Sequence, residues 1–264
     1  MSVVAVYAAP FATSRFSLAE SVQHAVRESR RIIVLCEPKE PPGVFLGAVT
    51  YLPHHGLPAT SAAVDHLIAL ARDPETIEAS EAGQPLHVLA IGCATNIAAA
   101  LLLAPDIARH VVVVWDAAYP HHWPWPNRSY NLEQDVRAAR VLFDRAQLVY
   151  IPGYQVAEQL TLTREEAEQH VAPCGKLGAF LWHLFPRCAP QDACSRVLWD
   201  IANIAYMIEP RWTPSHFVAS PGLAADLSWR ARRWSRRQMR EIHDVDRDAI
   251  FSDMFARLRG DSRG

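Results

Sequence analysis

Four short apolar runs constrain this chain more than any other feature: VVAVYA (3–8), LHVLAIG (86–92), HVVVVW (110–115) and LVYIP (148–152). Each is apolar at successive positions, so a strand built from it needs cover on both faces. Helices on each side of a parallel sheet give that cover, and helical patterns fill the intervals. Helices fit at about 17–35, 61–73, 95–109, 133–146, 163–186 and 194–208, several opened by the hydroxyl caps Ser17, Thr95 and Thr163. The alternation predicts an α/β fold with a doubly wound, mainly parallel sheet, and residues 1–264 are read as one domain. The Pro-rich pieces EPKEPPG (37–43) and YPHHWPWPNRSYN (119–131) are expected as loops at a sheet edge.

Hydrophobic residues make up 50% of the 264, enough for a sizeable core, and the formal net charge of -2 gives no overall attraction to nucleic acid or acidic membranes. The start lacks a basic segment followed by a long apolar one, and no run of about 18 apolar residues occurs. Neither secretion nor membrane insertion is expected. Cys36, Cys93, Cys174, Cys188 and Cys194 are odd in number and contain no Cys-x-x-Cys pair. That pattern suits a reducing cytoplasm, without a disulfide framework or a zinc site.

In open α/β sheets ligands collect beyond the carboxyl ends of the strands. The loops there are AAPF (8–11), GCATN (92–96), WDAAYPHHW (115–123) and PGY (152–154). A further candidate is Asp200, a carboxylate in the otherwise apolar stretch VLWDIANIAY (197–206). Either it faces solvent on an amphipathic helix that also presents Asn203 at i+3, or it is buried and needs a cation, donors or water.

Three successive blocks, IGCATNIAAALLLAPDIARHVVVVW (91–115), SYNLEQDVRAARVLFD (129–144) and VLWDIANIAYMIEP (197–210), resemble the inosine-uridine-preferring nucleoside hydrolase family in order, spacing and context. AAPF, GAVTYLP (47–53) and DVDRDAIFSDMFARL (244–258) resemble a bacterial subgroup of it, so the likeness spans almost the whole chain. The resemblance implies a Rossmann-like fold and hydrolysis of the N-glycosidic bond of a ribonucleoside to base and ribose, through an oxocarbenium-like sugar. It also implies calcium, a hard cation that takes six to eight oxygen ligands and activates a bound water. Asp200 is then the late-helix metal ligand and the Ile91 carbonyl the backbone one. Asn131 binds the sugar, Asn96 shapes the strand-end turn of the substrate site, and Trp123 is the best placed aromatic to stack on a base.

Several departures from the family pattern converge on that pocket. The family's first strand and its Asp-x-Asp-Pro-Gly-x-Asp-Asp motif have no counterpart, and the first aspartate here is Asp65. Ser129-Tyr130-Asn131 stands for Glu-Phe-Asn, Asp116-Ala117-Ala118 for a glycine-rich turn, and Trp199 for a histidine. A start that drops the first strand and a diverged homologue that has lost hydrolysis both account for this. The second is a catalytically silent nucleoside- or sugar-binding or partner subunit. A missing central strand leaves neighbouring edges open, so a homo-oligomer is expected.

The remaining features have two readings each. His54–His55 and His121–His122 are ligands or acid catalysts, yet adjacent side chains on an extended segment point apart, which is poor chelating geometry unless the loop turns sharply. Tyr119, Trp123 and Trp125 either stack on a base or pack their loop onto the domain. The arginines of SWRARRWSRRQMR (228–240) contact phosphates or RNA, or belong to a solvated edge strand or helix whose charges block edge-to-edge aggregation. Cys93 is a nucleophile or a small packed residue.

Overall fold

The computed structural model describes residues 5–7, 17–36, 38–188, 195–231 and 237–260, with 5–7 and 186–188 as backbone only. β1 (Ala5–Tyr7) runs parallel to β2 (Gly43–Phe45), joined through α1 (Leu18–Cys36). At its start Ser17 and Glu20 cap each other, the Ser17 N–H donating to Glu20 Oε2 at 2.8 Å. α2 (Ala62–Ala71) and α3 (Pro74–Glu81) follow, capped by Ser61 and Asp73. Then come β3 (Leu86–Ala90), α4 (Thr95–Leu103), β4 (Val111–Asp116), α5 (Tyr130–Glu133), α6 (Val136–Arg145) and β5 (Gln147–Ile151). The chain continues through β6 (Thr161–Thr163), α7 (Arg164–His170), α8 (Gly175–Cys188), β7 (Ser195–Val197) and α9 (Ile201–Ile208). It ends with β8 (Ser215–Ala219), β9 (Gly222–Leu223), β10 (Trp229–Arg230), β11 (Gln238–Ile242) and α10 (Arg247–Leu258).

The main sheet has the order β3-β4-β5-β11-β8, parallel except where β8 runs against β11. Alternation along its strands divides the core in two. Val113 and Trp115 of β4, with Leu148 and Tyr150 of β5, pack with residues of α4 and α6 on one face. Val114, Val149 and Ile151 pack with α7, α9 and α10 on the other. Trp115, Tyr150 and Phe143 are fully buried and contact one another with ring centroids 5.5–6.5 Å apart. Helices therefore cover both faces, the arrangement that the apolar runs require.

Several boundaries differ from the sequence reading, each for a local reason. The helix expected at 163–186 is two helices. Thr163 and Glu166 form a reciprocal cap that starts α7, and Pro173 with Gly175 (φ +61°) separates it from α8. The helix expected at 194–208 begins only at Ile201, because Ser195–Val197 pair antiparallel with Thr161–Thr163. Pro105 ends α4, and the stretch at 105–109 is a 3-10 turn. Thr95 is not a cap: its hydroxyl donates to Asp135 Oδ2 at 2.7 Å instead. Tyr130 and Asn131, expected in a loop, open α5, while Asp135 caps α6. Part of the arginine-rich segment forms β11, an interior strand rather than an edge. AAPF, Cys194 and Trp234 lie outside the described residues. No helix among the described residues is long and apolar enough to cross a membrane.

Candidate functional site

The parallel strands β3, β4 and β5 end side by side, and the residues that follow them wall a cavity of about 260 Å³. Ile91 comes from the end of β3, Asp116, Ala117 and Ala118 from β4, and Gly153 and Tyr154 from the turn after β5. Trp199 and Asp200 close it from the start of α9, and Ser129, Tyr130 and Asn131 from the start of α5. Asp200, Ile91 and Asn131 are thus brought to one place from positions far apart in the chain. Asn96 and Trp123 are not among the lining residues.

The turn after β4 is held by its own hydrogen bonds. The Ala118 N–H donates to Ser129 Oγ at 3.0 Å, and Asn131 Nδ2 donates to the Asp116 carbonyl at 2.9 Å. The buried Tyr150 hydroxyl donates into the Ala117 carbonyl at 2.6 Å, with that of Tyr119 2.8 Å away. These contacts hold Ala118 at φ +52°, where an alanine costs about 1 kcal/mol or more. Of the two alanines that stand for the family's glycines, Ala118 therefore adopts a glycine-like backbone. Asn131 is fixed by the same network, its amide anchored to the turn.

Two carboxylates face this cavity. Asp116 is 2% exposed, and burial, with the charge of Asp200 second, pushes its pKa up to about 8. Among the described residues no donor is paired with its carboxylate, and Gly153 approaches so closely that a Cβ there would lie 2.9 Å from Asp116 Oδ1. Asp200 stands at the mouth, open to solvent on one side and crowded by protein on the other. Burial raises it to about 6, opposed by the Arg196 guanidinium. It occupies the position before the first turn of α9 without capping it, so its oxygens are not committed to the helix.

An aromatic row flanks the carboxylates. Trp123 stacks on Tyr119 (4.3 Å), Tyr119 on Tyr154 (4.5 Å), and Tyr154 meets the Trp199 ring edge-on at 5.5 Å. Trp123 sits at its outer end, and Tyr154 and Trp199 form cavity wall.

Nearby polar residues act as scaffold. Asn96 Oδ1 accepts the Ala48 N–H at 2.8 Å, tying α4 to the 47–53 segment. Asp135 accepts from the Leu52 N–H at 2.9 Å, the Ala138 N–H at 3.0 Å and the Thr95 hydroxyl. Asn203, fully buried, donates to the carbonyls of Ala90 and Val114 at 3.1 and 3.0 Å, joining the ends of β3 and β4 behind the cavity. Cys93 is buried, and burial pushes its thiol up, which disfavours the nucleophilic thiolate. Sequence reasoning placed Asp116 and Tyr154 in strand-end loops without giving either a role, and read Asn203 only as a neighbour of Asp200 on a helix face. The signal for Asp116 was present, as a carboxylate ending an all-apolar strand.

The cavity offers hard oxygen donors, the carboxylates of Asp116 and Asp200, and the buried Asp116 has no cationic partner among the described residues. Two carboxylates are the ligand type a hard divalent cation takes, but with the Ile91 carbonyl they fall short of the six to eight oxygens of a calcium shell. A larger depression, about 370 Å³, lies between α7 and α10, but its Glu166 is already paired with Arg247 at 2.7 Å. The smaller cavity is therefore the candidate site.

Comparison with known proteins gives the following. The family profile described as inosine-uridine preferring nucleoside hydrolase matches residues 19–251. A plant nucleoside hydrolase superimposes with a TM-score of 0.71 at 18% identity, covering 98% of this chain and 91% of that one. The purine-preferring ribonucleoside hydrolase from Gardnerella vaginalis gives 0.67 at 18% identity, over 92% and 86%. An inosine-uridine preferring nucleoside hydrolase from Bacillus anthracis gives 0.64 at 18% identity, over 99% and 82%. No curated protein matches by sequence.

Proposed function

The chain belongs to the inosine-uridine preferring nucleoside hydrolase family, and from that membership we propose that it hydrolyses the N-glycosidic bond of a ribonucleoside to free base and ribose. The observation that carries the reading is a pair of carboxylates in one cavity whose environments separate their pKa values, about 6 for Asp200 and about 8 for Asp116. Such a separation assigns acid and base roles. Near pH 7 Asp200 is mostly ionised and takes the proton of the attacking water. Asp116 is mostly protonated, and donates to the departing base nitrogen or to a ribose hydroxyl. Asn131, locked to the turn, orients the sugar, and Tyr154 with Trp199 offers flat faces to the base and keeps water from that side.

With calcium bound, Asp200, Asp116 and the Ile91 carbonyl would hold it. The ion would supply charge that makes a bound water more acidic and draws both carboxylates to their ionised forms. The proton donor to the leaving base would then be solvent or another group.

The test is release of base from a panel of ribonucleosides by the 264-residue chain, with calcium and with excess chelator. Turnover should fall about a hundredfold or more in Asp200→Asn and in Asp116→Asn. No turnover in a folded preparation sinks the enzymatic reading. A second reading, a silent nucleoside- or sugar-binding subunit, is favoured by the cavity's small size, just under the usual range of about 300–1,000 Å³. Saturable nucleoside binding without turnover would establish it.

A further inference from the structure

The loop after β4 reaches away from the cavity and places His121 over the sheet, against β8 and β11. There His216 of β8 lies directly opposite Glu241 of β11 in antiparallel register, so both side chains stand on the same face. His121 Nδ1 lies 2.8 Å from Glu241 Oε1, and its backbone N–H donates to Oε2 at 2.9 Å. His216 Nε2 is 3.9 Å from the same Oε1, and one ligand atom from each of the three residues falls within 4.8 Å of the other two. Glu241 is 2% exposed, whereas His121 and His216 open to solvent at 32% and 45%.

We propose that His121, His216 and Glu241 form a binding site for a divalent transition-metal ion of the zinc class. Two imidazoles and one carboxylate are the donors that such an ion prefers, whereas calcium and magnesium take oxygen. Tetrahedral ligands at about 2.0–2.2 Å stand roughly 3.3 Å apart, and the observed separations bracket that value. Small adjustments of two partly exposed imidazoles close the difference. The carboxylate is fixed on an interior strand and held by a backbone donor, so one ligand is preorganised. The fourth position faces water. The site joins the loop that walls the cavity to the far strands of the sheet, yet uses none of the cavity residues.

The cysteine pattern offered no zinc site, and this one uses no thiolate. His121 and Glu241 are 120 positions apart, and neither shares a local motif with His216. The adjacent pair His121–His122 does not chelate together: the two rings are edge-on at 85°, and His121 turns to Glu241.

Zinc itself is the probe. Tag-free full-length protein is titrated with Zn²⁺ in competition with a chromophoric chelator, alongside His216→Ala and the double variant His54→Ala/His55→Ala. The proposal expects one tight zinc per chain, weakened about tenfold or more in His216→Ala and unchanged in the double variant. His216 is partly exposed, so its variant should keep the wild-type far-ultraviolet spectrum, and the zinc-induced rise in Tm should be lost with the binding. Co²⁺ in the same protein should give the intense visible absorption of a four-coordinate ion. Absence of tight binding overturns the proposal, as does equal affinity in His216→Ala and wild type.

Discussion

Asp116 and Asp200 have raised pKa values in the folded chain, so each favours the folded state in its protonated form. For Asp116 the sign follows from about 8 folded against an ordinary 3.8: between these values the folded chain holds the extra proton. Stability without added calcium should therefore fall as pH rises from about 4 through about 8, by on the order of a few kcal/mol. Urea unfolding at about pH 5 and pH 8.5 measures this, and Asp116→Asn should flatten the slope. An unchanged slope in the variant would place the titration elsewhere. Asn203 gives a second prediction. Its amide donates to the carbonyls of two buried strand residues, so Asn203→Leu should cost about 2–3 kcal/mol. Equal midpoints in the same assay would refute that bridge.

At the scale of elements, turns decide what the periodicity of the side chains left open. Apolar residues at 163–186 keep a helical pattern throughout, yet the capping pair Thr163–Glu166 and the break at Pro173 and Gly175 make two helices. Gly178 in α8 is where the second helix meets that break. A Cβ there would collide with the Val171 carbonyl oxygen and crowd Cys174 Cβ at 2.8 Å. Backbone is the obstacle, so Gly178→Ala should destabilise by about 1–3 kcal/mol, read as a lowered Tm, despite alanine's better helix propensity. Gly153→Ala presses on Asp116 Oδ1 and tests the turn after β5. Base release should drop while the unfolding midpoint moves little, and a variant with full activity would show that Asp116 need not sit where it does.

On the scale of the whole molecule, the last strand completes the sheet. β11 lies between β5 and β8, and its Met239 and Ile242 join opposite cores. A chain truncated after residue 231 leaves two edges unpaired and part of each core uncovered. Such a chain should lose its cooperative urea transition and near-ultraviolet signal, whereas a retained transition would mean that β3, β4 and β5 are stable alone. The same strand explains the limit of local reading here. QMREI carries charges that suit an edge, yet Arg240 donates to Ser215 Oγ at 3.0 Å and lies over the Phe217 ring, and Glu241 meets His121. Partners distant in sequence make a charged strand an interior one.

Sequence alone determined the α/β class, the parallel strands β3, β4 and β5, and the loops where a ligand would gather, because burial on both faces leaves uninterrupted apolar runs. It also picked out Asp200, Ile91 and Asn131, which line one cavity. Only the tertiary structure decided that Asp116 shares this cavity with Asp200, that Asn203 bridges strands, and that Asn96 and Trp123 stand outside the lining. A side chain's surroundings are set by segments that periodicity does not connect, and the desolvation that separates two carboxylates exists only once those segments pack.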